Sequence, residues 1–155
     1  MDWKIRAYQK SDTPEIMRLF RDTVHAVNRV DYSKQQLDAW APETMSVKEW
    51  ENSLAAHHSI VVEYNGIMIG FGDIILTGYL DRLYVHKDYQ RRGVGTAIAD
   101  RLEQYAADHG IPVVTTDASI TAKPFFEKRG YRTVREQTVI RRGQALINYR
   151  MELKR

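Results

Sequence analysis

One stretch of the chain decides the fold: residues 83–96 read LYVHKDYQRRGVGT. An apolar strand pattern leads through a polar loop into an amphipathic helix. The glycines let the backbone approach a ligand closely, and the unpaired amides of the first helical turn point at one spot. Arg91 and Arg92 add positive charge beside them. The pattern indicates a phosphate site; the alternative is that the glycines only tighten the turn and the arginines are solvated.

Two other phosphate-binding motifs compete for this stretch. A P-loop ends in Gly-Lys-Ser/Thr. Here Gly95 is followed by Thr96 and Ala97, so the lysine is missing. A dinucleotide fingerprint needs a third glycine where Ile98 stands, although Asp117 falls where that fold places its ribose-binding acid. The chain has a single strand–helix–strand unit of this kind followed by a hairpin, so the dinucleotide interpretation is the minor one.

The remaining sequence predicts a single domain over residues 1–155. Asn65-Gly66, between the apolar runs 60–64 and 67–71, is a strong hairpin signal, and a second hairpin is expected around Arg142-Gly143. Helical patterns with capping residues at their starts precede the first hairpin. Strand, helix, strand, helix and hairpin in this order predict an α+β chain built around a mixed sheet.

Composition limits the classes of function. Of 155 residues, 43% are hydrophobic and 28% are charged, which is ordinary for a globular protein. The net charge of +3 suits an anionic small molecule and neither requires nor excludes nucleic acid. The absence of cysteine excludes disulfides, thiolate nucleophiles and zinc–thiolate sites. Because the opening residues lack a signal-peptide pattern and no apolar run reaches membrane-spanning length, a cytoplasmic protein without a membrane partner is expected.

Two motifs carry a resemblance to a known family. Residues 90–95, QRRGVG, match the Gln/Arg-x-x-Gly-x-Gly/Ala signature of the GNAT superfamily of N-acetyltransferases. Residues 122–131, AKPFFEKRGY, resemble the second hallmark of that family, Ala-x-x-Phe-Tyr-x-x-x-Gly-Phe. The order of the predicted elements also matches, so the similarity spans nearly the whole chain. It implies the GNAT acyltransferase fold, an α+β fold whose central mixed β-sheet has splayed parallel strands and is flanked by helices.

The resemblance implies acetyl-CoA as the co-substrate. Backbone groups of Leu83 and Val85 would hold the pantetheine arm as an added strand, and the Leu83 amide would face the thioester oxygen. Amides from Arg91 to Thr96 would hold the pyrophosphate. The residues expected to bind the cofactor are Leu83, Tyr84, Val85, Gln90, Arg91, Arg92, Gly93, Val94, Gly95, Thr96, Ser119 and Phe126.

Without cysteine, the acetyl group is expected to pass directly from the thioester to a primary amine, whose proton needs a route away. Alternation predicts that Tyr79, Asp81, Leu83 and Val85 share one face of the central strand. Some relatives carry a catalytic glutamate at the position of Tyr79. Asp81 is therefore the leading candidate for a base or water anchor, with a structural pairing to an arginine as the alternative. His25 is a second candidate base, or else packs on the flank of a helix.

The chain departs from the family at Phe126, where many members carry a tyrosine general acid. Tyr131, Tyr84 or water would take that role, or the thiolate would leave unassisted. For the acceptor, Tyr32 and Trp40 are expected to line the binding site. The histidines show no metal-binding spacing, so no metal is expected.

Two further functions are weighed against acetyl transfer. A catalytically silent acyl-CoA-binding regulator is motivated by the missing tyrosine acid. A nucleic-acid-binding module is motivated by basic residues near the C-terminus, but strand alternation divides these between two faces and no nucleic-acid motif accompanies them. They are Arg132, Arg135, Arg141, Arg142 and Arg150. The expected partners are acetyl-CoA and an amine acceptor, without nucleic acid, and a homodimer is left open.

Overall fold

The computed structural model describes residues 2–154, which contain seven β-strands. These are β1 (Lys4–Ala7), β2 (His58–Tyr64), β3 (Ile67–Ile74), β4 (Tyr79–Val85), β5 (Val113–Ser119), β6 (Arg132–Arg141) and β7 (Gln144–Lys154). They form one sheet in the order β1-β2-β3-β4-β5-β7-β6. Neighbouring strands run antiparallel except for β4 and β5, which are parallel. The sheet is therefore mixed, as the sequence predicts.

Helices cover both faces of this sheet. They are α1 (Thr13–Val27), α2 (Lys34–Trp40), α3 (Val47–Ala56), α4 (Val94–Asp108) and α5 (Lys123–Lys128). Helices α1 to α3 bury one core, to which Phe71 of β3 contributes, and α4 and α5 bury the other, to which Ile69 contributes. None of the helices within residues 2–154 has both the length and the apolarity needed to cross a membrane.

Both predicted hairpin turns form. Asn65 and Gly66 have φ angles of 52° and 75°, and Arg142 and Gly143 have φ angles of 45° and 81°. Positive φ at both central residues is the turn geometry that matches the twist of antiparallel strands. The second hairpin joins β6 to β7 and projects next to α2, where Arg142 Nη1 donates to the Ala39 carbonyl at 2.7 Å.

A β-bulge interrupts the central strand at Asp81. The register between β3 and β4 passes from Asp73 opposite Arg82 to Ile74 opposite Leu80, so Asp81 is the extra residue. The register with β5 ends at the same place, since its last pair joins Leu80 to Thr116. Bulges bend a strand and increase its local twist. The bend accompanies the separation of β4 from β5, which leaves a gap in the middle of the sheet.

The bulge makes one sequence prediction wrong. Regular alternation placed Tyr79, Asp81, Leu83 and Val85 on one face, but the extra residue reverses the alternation beyond Asp81. Leu83 and Val85 pack on the core beneath α4, whereas Tyr79 and Asp81 line a cavity together with Tyr84. The sequence alone gives no sign of this, because no glycine marks the bulge.

Candidate active site

A groove of about 590 Å³ lies where β4 and β5 separate. Its walls come from the end of α1, the end of β4, the start of α4 and helix α5. Of the twelve residues expected to bind a cofactor, Arg92 and Val94 lie off this groove and the other ten line it. Val94 is buried in the core, and the Arg92 guanidinium lies 5.4 Å from the centre of the Tyr89 ring.

The N-terminus of α4 forms one end of the groove. Gly93 precedes the helix with a φ of 86°, and Arg91 two residues earlier has a φ of 61°. The Ala97 amide donates to the Gly93 carbonyl at 3.0 Å. The amides of Val94, Gly95 and Thr96 precede this bond and point along the helix axis, where the dipole favours an anion. With Arg91 also lining the groove, this end suits a phosphate group.

Some backbone groups on the edge of β4 that faces the gap are already hydrogen-bonded within the protein. The His86 amide donates to the Ile69 carbonyl at 2.8 Å, so the backbone groups of Leu83 and Val85 point away from β3 into the gap. The Val85 carbonyl accepts from Gln90 Nε2 at 2.6 Å and from the Thr23 hydroxyl at 3.3 Å. Gln90 therefore ties the glycine loop to the strand. The Val85 amide and both backbone groups of Leu83 remain directed into the gap.

Seven residues that the sequence analysis did not select for cofactor binding also line the groove: Thr23, Val27, Asn28, Val30, Thr121, Ala122 and Phe125. Asn28 is buried and its Nδ2 donates to Ser119 Oγ at 3.3 Å, and the Ala122 amide donates to the same oxygen at 3.0 Å. Ser119 thereby joins the end of α1 to the start of α5. The contact between Asn28 and Ser119 joins residues 91 positions apart, so no local motif indicates it.

A second cavity of about 440 Å³, here called the pocket, lies on the side of β4 that faces α1 to α3. Tyr84 and Ser119 line both the pocket and the groove. Tyr32 and Trp40, the two residues expected to bind the acceptor, line the pocket with ring centres 5.4 Å apart. The Tyr32 hydroxyl donates to the Ile147 carbonyl at 2.6 Å and accepts from the Ile120 amide at 2.9 Å. The hydroxyl thus ties the segment before α2 to β7 and to the residue that follows β5.

Tyr84 lines both cavities, and its hydroxyl is buried. It accepts a hydrogen bond from the Trp40 indole. Burial, followed by the nearby Asp81 carboxylate, raises the pKa of Tyr84 well above its ordinary value. The phenol therefore remains protonated at neutral pH and can donate a hydrogen bond.

Tyr79 lines the pocket with its hydroxyl committed to a neighbour. The hydroxyl donates to Asp117 Oδ2 at 3.0 Å, and Asp117 also lies 2.8 Å from Arg150. Burial, then the charge of Asp117, raises the pKa of Tyr79 well above its usual range. Tyr79 consequently keeps its proton at neutral pH and is a poor candidate for a base.

Asp81 also lines the pocket, with 31% of its side chain exposed. Its Oδ2 lies 3.4 Å from Arg82 Nη2 and 3.9 Å from His57 Nδ1. Burial, followed by the charge of Asp73, raises the pKa of Asp81 above its ordinary value, although Arg82 and His57 oppose the rise. Asp81 thus both pairs with Arg82 and lines the pocket. Its raised pKa makes the carboxylate a stronger base.

Side chains of His57, Asp73 and Asp81 bring potential metal-ligand atoms within 4.8 Å of one another. Arg82 lies among them, with Nε 3.7 Å from Asp73 and Nη2 3.4 Å from Asp81. A metal cation would be repelled by this guanidinium, which already supplies positive charge to the carboxylates. The chemistry of the cluster is that of an ion-pair network.

His25 and Tyr131 lie outside both cavities. His25 Nε2 contacts the Ala41 carbonyl at 2.8 Å, which ties α1 to the end of α2. Tyr131 is 3% exposed, and its hydroxyl donates to Glu103 at 2.9 Å, behind the Phe126 ring that lines the groove. The structure thus brings Tyr79, Asp81 and Tyr84 together and keeps the other two candidate catalytic residues apart from them.

The structure thus has a groove whose one end suits a phosphate group and a separate pocket that shares Tyr84 and Ser119 with it. The family model described as Acetyltransferase (GNAT) domain matches residues 28–153. The "Uncharacterized N-acetyltransferase YafP" of Escherichia coli strain K12 is 36% identical over 151 residues, which cover 97% of this chain and 95% of that protein. The chain belongs to the GNAT acetyltransferase family.

Solved structures agree with this family and with the fold expected from the sequence. A GCN5-related N-acetyltransferase from Rhodopseudomonas palustris superimposes with a TM-score of 0.95 at 31% identity, covering 99% of this chain and 96% of that one. The PaiA N-acetyltransferase of Thermoplasma acidophilum, solved in complex with coenzyme A, superimposes with a TM-score of 0.81 at 20% identity and covers both chains fully, at 100%. The expected mixed sheet with splayed parallel strands is confirmed.

Proposed function

We propose that the protein transfers the acetyl group of acetyl-CoA directly to a primary amine bound in the pocket. The observation that carries this proposal is the meeting of the groove and the pocket at Tyr84 and Ser119. A thioester that ends at this junction would face an amine entering from the other side. Membership of an acetyltransferase family and the coenzyme A bound by the PaiA relative support the choice of donor.

Different parts of the groove would bind the chemically different parts of acetyl-CoA. The pyrophosphate would lie at the N-terminus of α4 beside Arg91, where amides and positive charge meet. The pantetheine would run along the free edge of β4, bonded to the backbone of Leu83 and packed against Phe125 and Phe126. The Leu83 amide points into the gap and would stabilise the negative charge that develops on the thioester oxygen.

In the reaction the amine nitrogen forms a bond to the acetyl carbon, and the carbon–sulfur bond breaks. Asp81, directly or through a water molecule, would accept the proton that the nitrogen loses. The sulfur would leave as a thiolate that accepts a hydrogen bond from the Tyr84 hydroxyl and takes its proton from water. Tyr84 suits this role better than Tyr131, because Tyr131 is bonded to Glu103 outside the groove.

The charges in the pocket also favour a class of acceptor. Asp117 is paired with Arg150, and Arg82 lies against Asp73 and Asp81. Arg141 and Arg142, at the turn of the β6–β7 hairpin, line the pocket and donate to backbone carbonyls. Guanidinium groups recognise carboxylates and phosphates well. Glu49 is the further carboxylate that lines the pocket, and it offsets one of these two arginines. The proposed acceptor therefore carries an anionic group as well as its amine.

The test follows release of free CoA from acetyl-CoA with pairs of amines that differ only in a carboxylate. Each α-amino acid is compared with the amine produced by removing its carboxyl group, and polyamines and peptide N-termini complete the panel. Turnover with any primary amine supports acetyl transfer, and faster turnover with the carboxylate-bearing member supports the acceptor class. Binding of acetyl-CoA without turnover across the panel would contradict the proposal.

A second candidate, a regulator that binds acyl-CoA without turnover, is favoured by one observation. Phe126 lines the groove where many family members place a tyrosine acid. Under this alternative, acetyl-CoA raises the melting temperature of the protein while no amine in the panel releases CoA. The same experiment therefore separates the two functions.

A further inference from the structure

Behind the pocket, the side chains of His57, Asp73 and Arg82 form a network of charged groups next to Asp81. Asp73 of β3 is fully buried, and its Oδ2 lies 2.9 Å from His57 Nδ1 in the turn between α3 and β2. The same His57 nitrogen lies 3.9 Å from Asp81 Oδ2. Asp81 thus faces the pocket on one side and this histidine–aspartate pair on the other.

The charges of the network do not balance without His57. Two carboxylates, Asp73 and Asp81, share the guanidinium of Arg82. Arg82 is held from α3, because its Nη2 contacts the Ser53 hydroxyl and its guanidinium lies 4.7 Å from the centre of a Trp50 ring. One guanidinium offsets one carboxylate. A protonated His57 offsets the second, and with His57 neutral the network favours a proton on one carboxyl group.

Hydrogen bonding in the network is incomplete. Among residues 2–154, Asp73 Oδ1 and Arg82 Nη1 are buried without a hydrogen-bond partner. Buried ion pairs with unsatisfied atoms contribute little to stability, because desolvation offsets their attraction. Stability is therefore a weak reason for placing three charged groups directly behind the residue proposed as the base.

We propose that His57 and Asp73 form a positioning pair that sets the ionisation of Asp81 through opposite charges. The charge of Asp73 opposes ionisation of Asp81, and a protonated His57 favours it. Neither residue lines the pocket, so both act through Asp81 and would not touch the acceptor. The inference rests on the role proposed above for Asp81.

Other charged or titratable groups line the pocket together with Asp81. They come from α3, β4, β5 and the β6–β7 hairpin, and are Glu49, Tyr79, Arg82, Tyr84, Asp117, Arg141 and Arg142. Neither His57→Asn nor Asp73→Asn removes any of these groups. A difference in the Asp81 titration midpoint between the two variants therefore reports the effect of the His57–Asp73 pair on Asp81.

The experiment titrates the side-chain carboxyl carbons of ¹³C-aspartate-labelled protein by NMR, without acetyl-CoA or acceptor. Asp81→Asn identifies the Asp81 signal by its loss. His57→Asn keeps an amide donor near the position of Nδ1 but removes the charge, so the Asp81 midpoint should rise by at least about half a pH unit. Asp73→Asn removes the repelling charge and should lower the midpoint by a similar amount.

The matched control is His58→Asn. His58 is the next residue in the chain, but its ring stacks on Tyr105 of α4 at 4.1 Å, on the opposite face of the sheet. This variant should leave the Asp81 midpoint within about 0.2 pH units of the wild type, since the charge it removes is screened by distance. An unchanged midpoint in His57→Asn, or shifts of the same sign in the two test variants, would overturn the pair.

If Asp73→Asn fails to fold, His57→Asn decides alone, because its side chain lies at the edge of the network with 18% exposed. The titration needs no turnover and so is independent of the acetyl-transfer assay. Opposite shifts in a protein that acetylates no amine would support the pair and contradict the proposed function. Turnover without these shifts would do the reverse.

Discussion

The groove and the pocket share Tyr84 and Ser119 but are built in different ways. The groove is formed largely by two continuous segments, residues 83–96 and 119–126, and offers backbone groups and apolar side chains. The pocket draws single side chains from α1 to α3, β4, β5 and the β6–β7 hairpin, and many of them are charged or aromatic. A site made by backbone geometry accepts one constant ligand, whereas a site made by side chains changes its ligand by substitution.

The largest effect is expected from Gly95→Glu, which tests the groove. A Cβ at Gly95 would lie 3.4 Å from Phe125 and 3.6 Å from Val85, at ordinary contact distance, so the fold should tolerate a side chain. The glutamate would place negative charge where the pyrophosphate is proposed. Wild-type protein should gain about 2.7 kcal/mol of stability at a hundredfold excess of acetyl-CoA over its Kd, and the variant should gain none.

Thermal unfolding with and without acetyl-CoA measures this effect. Gly95→Ala is the matched control, because it adds only the Cβ and should keep binding. Retained stabilisation in Gly95→Glu would mean that the glycine turn serves the fold alone.

Asp81→Asn tests the pocket. It should lower turnover on the order of a hundredfold, the usual cost of losing a general base, and leave the Kd for acetyl-CoA unchanged because Asp81 does not line the groove. Steady-state kinetics with the best amine of the panel, together with a binding titration, provide the measurement. Equal losses in turnover and acetyl-CoA affinity would show that the groove and the pocket are not separate in function.

Arg141→Gln sharpens the comparison within the pocket. Loss of one guanidinium contact, worth about 1.4 kcal/mol, should raise KM about tenfold for acceptors that carry a carboxylate. Their decarboxylated counterparts should be unaffected. Arg135→Gln is the control, since Arg135 lies on the same strand outside the pocket. A uniform rise in KM for both acceptor classes would remove the anion-binding role.

A smaller effect is expected where the groove departs from the family. Phe126→Leu keeps an apolar filler and should change turnover by only a few-fold, through packing. Tyr131→Phe should leave turnover near the wild-type value but lower the melting temperature, because it breaks the bond to Glu103. A large loss of turnover in Tyr131→Phe at full acetyl-CoA binding would restore Tyr131 as a candidate acid.

The smallest effect concerns stability and pH. Because the folded state raises the pKa of Asp81, ionised Asp81 weakens the fold above that pKa, and the weakening disappears below about pH 4, where the unfolded chain also binds the proton. Asp81→Asn should therefore have a higher melting temperature than the wild type at pH 7 and a similar one at low pH. A lower melting temperature at pH 7 would indicate that the ion pair with Arg82 dominates.

The sequence predicts the groove better than the pocket. The loop, the start of α4 and both hairpins are fixed by local chemistry, such as glycine at positive φ, so their positions could be predicted. Tyr32 and Trp40 line the pocket, and their position in the variable segment before the first hairpin is the only feature of the sequence that suggests an acceptor-binding role, which stays a prediction. Arg141, Arg142 and Glu49 enter the pocket through contacts between distant segments, which no local pattern records.

The misplaced candidates have physical explanations. His25 occupies a helix position whose neighbours are decided by the end of α2, where it finds the Ala41 carbonyl. Tyr131 is the last residue of the second hallmark, but its ring turns toward α4 and Glu103. The prediction that Leu83 and Val85 share a face with Tyr79 and Asp81 is wrong for a third reason. An extra residue in a strand changes the alternation of side chains without changing the composition of the sequence.

The bulge at Asp81 constrains how this gene can change over generations. Most of β4 tolerates exchange of one side chain for another, within limits of size and charge. Loss of the single codon for Asp81 would restore regular alternation and leave Leu80, Leu83 and Val85 on the core face beneath α4, but it would remove the bend of the strand and the carboxylate that lines the pocket. Related sequences that share this active-site layout should therefore align across residues 79–85 without gaps, even where few of the residues are identical.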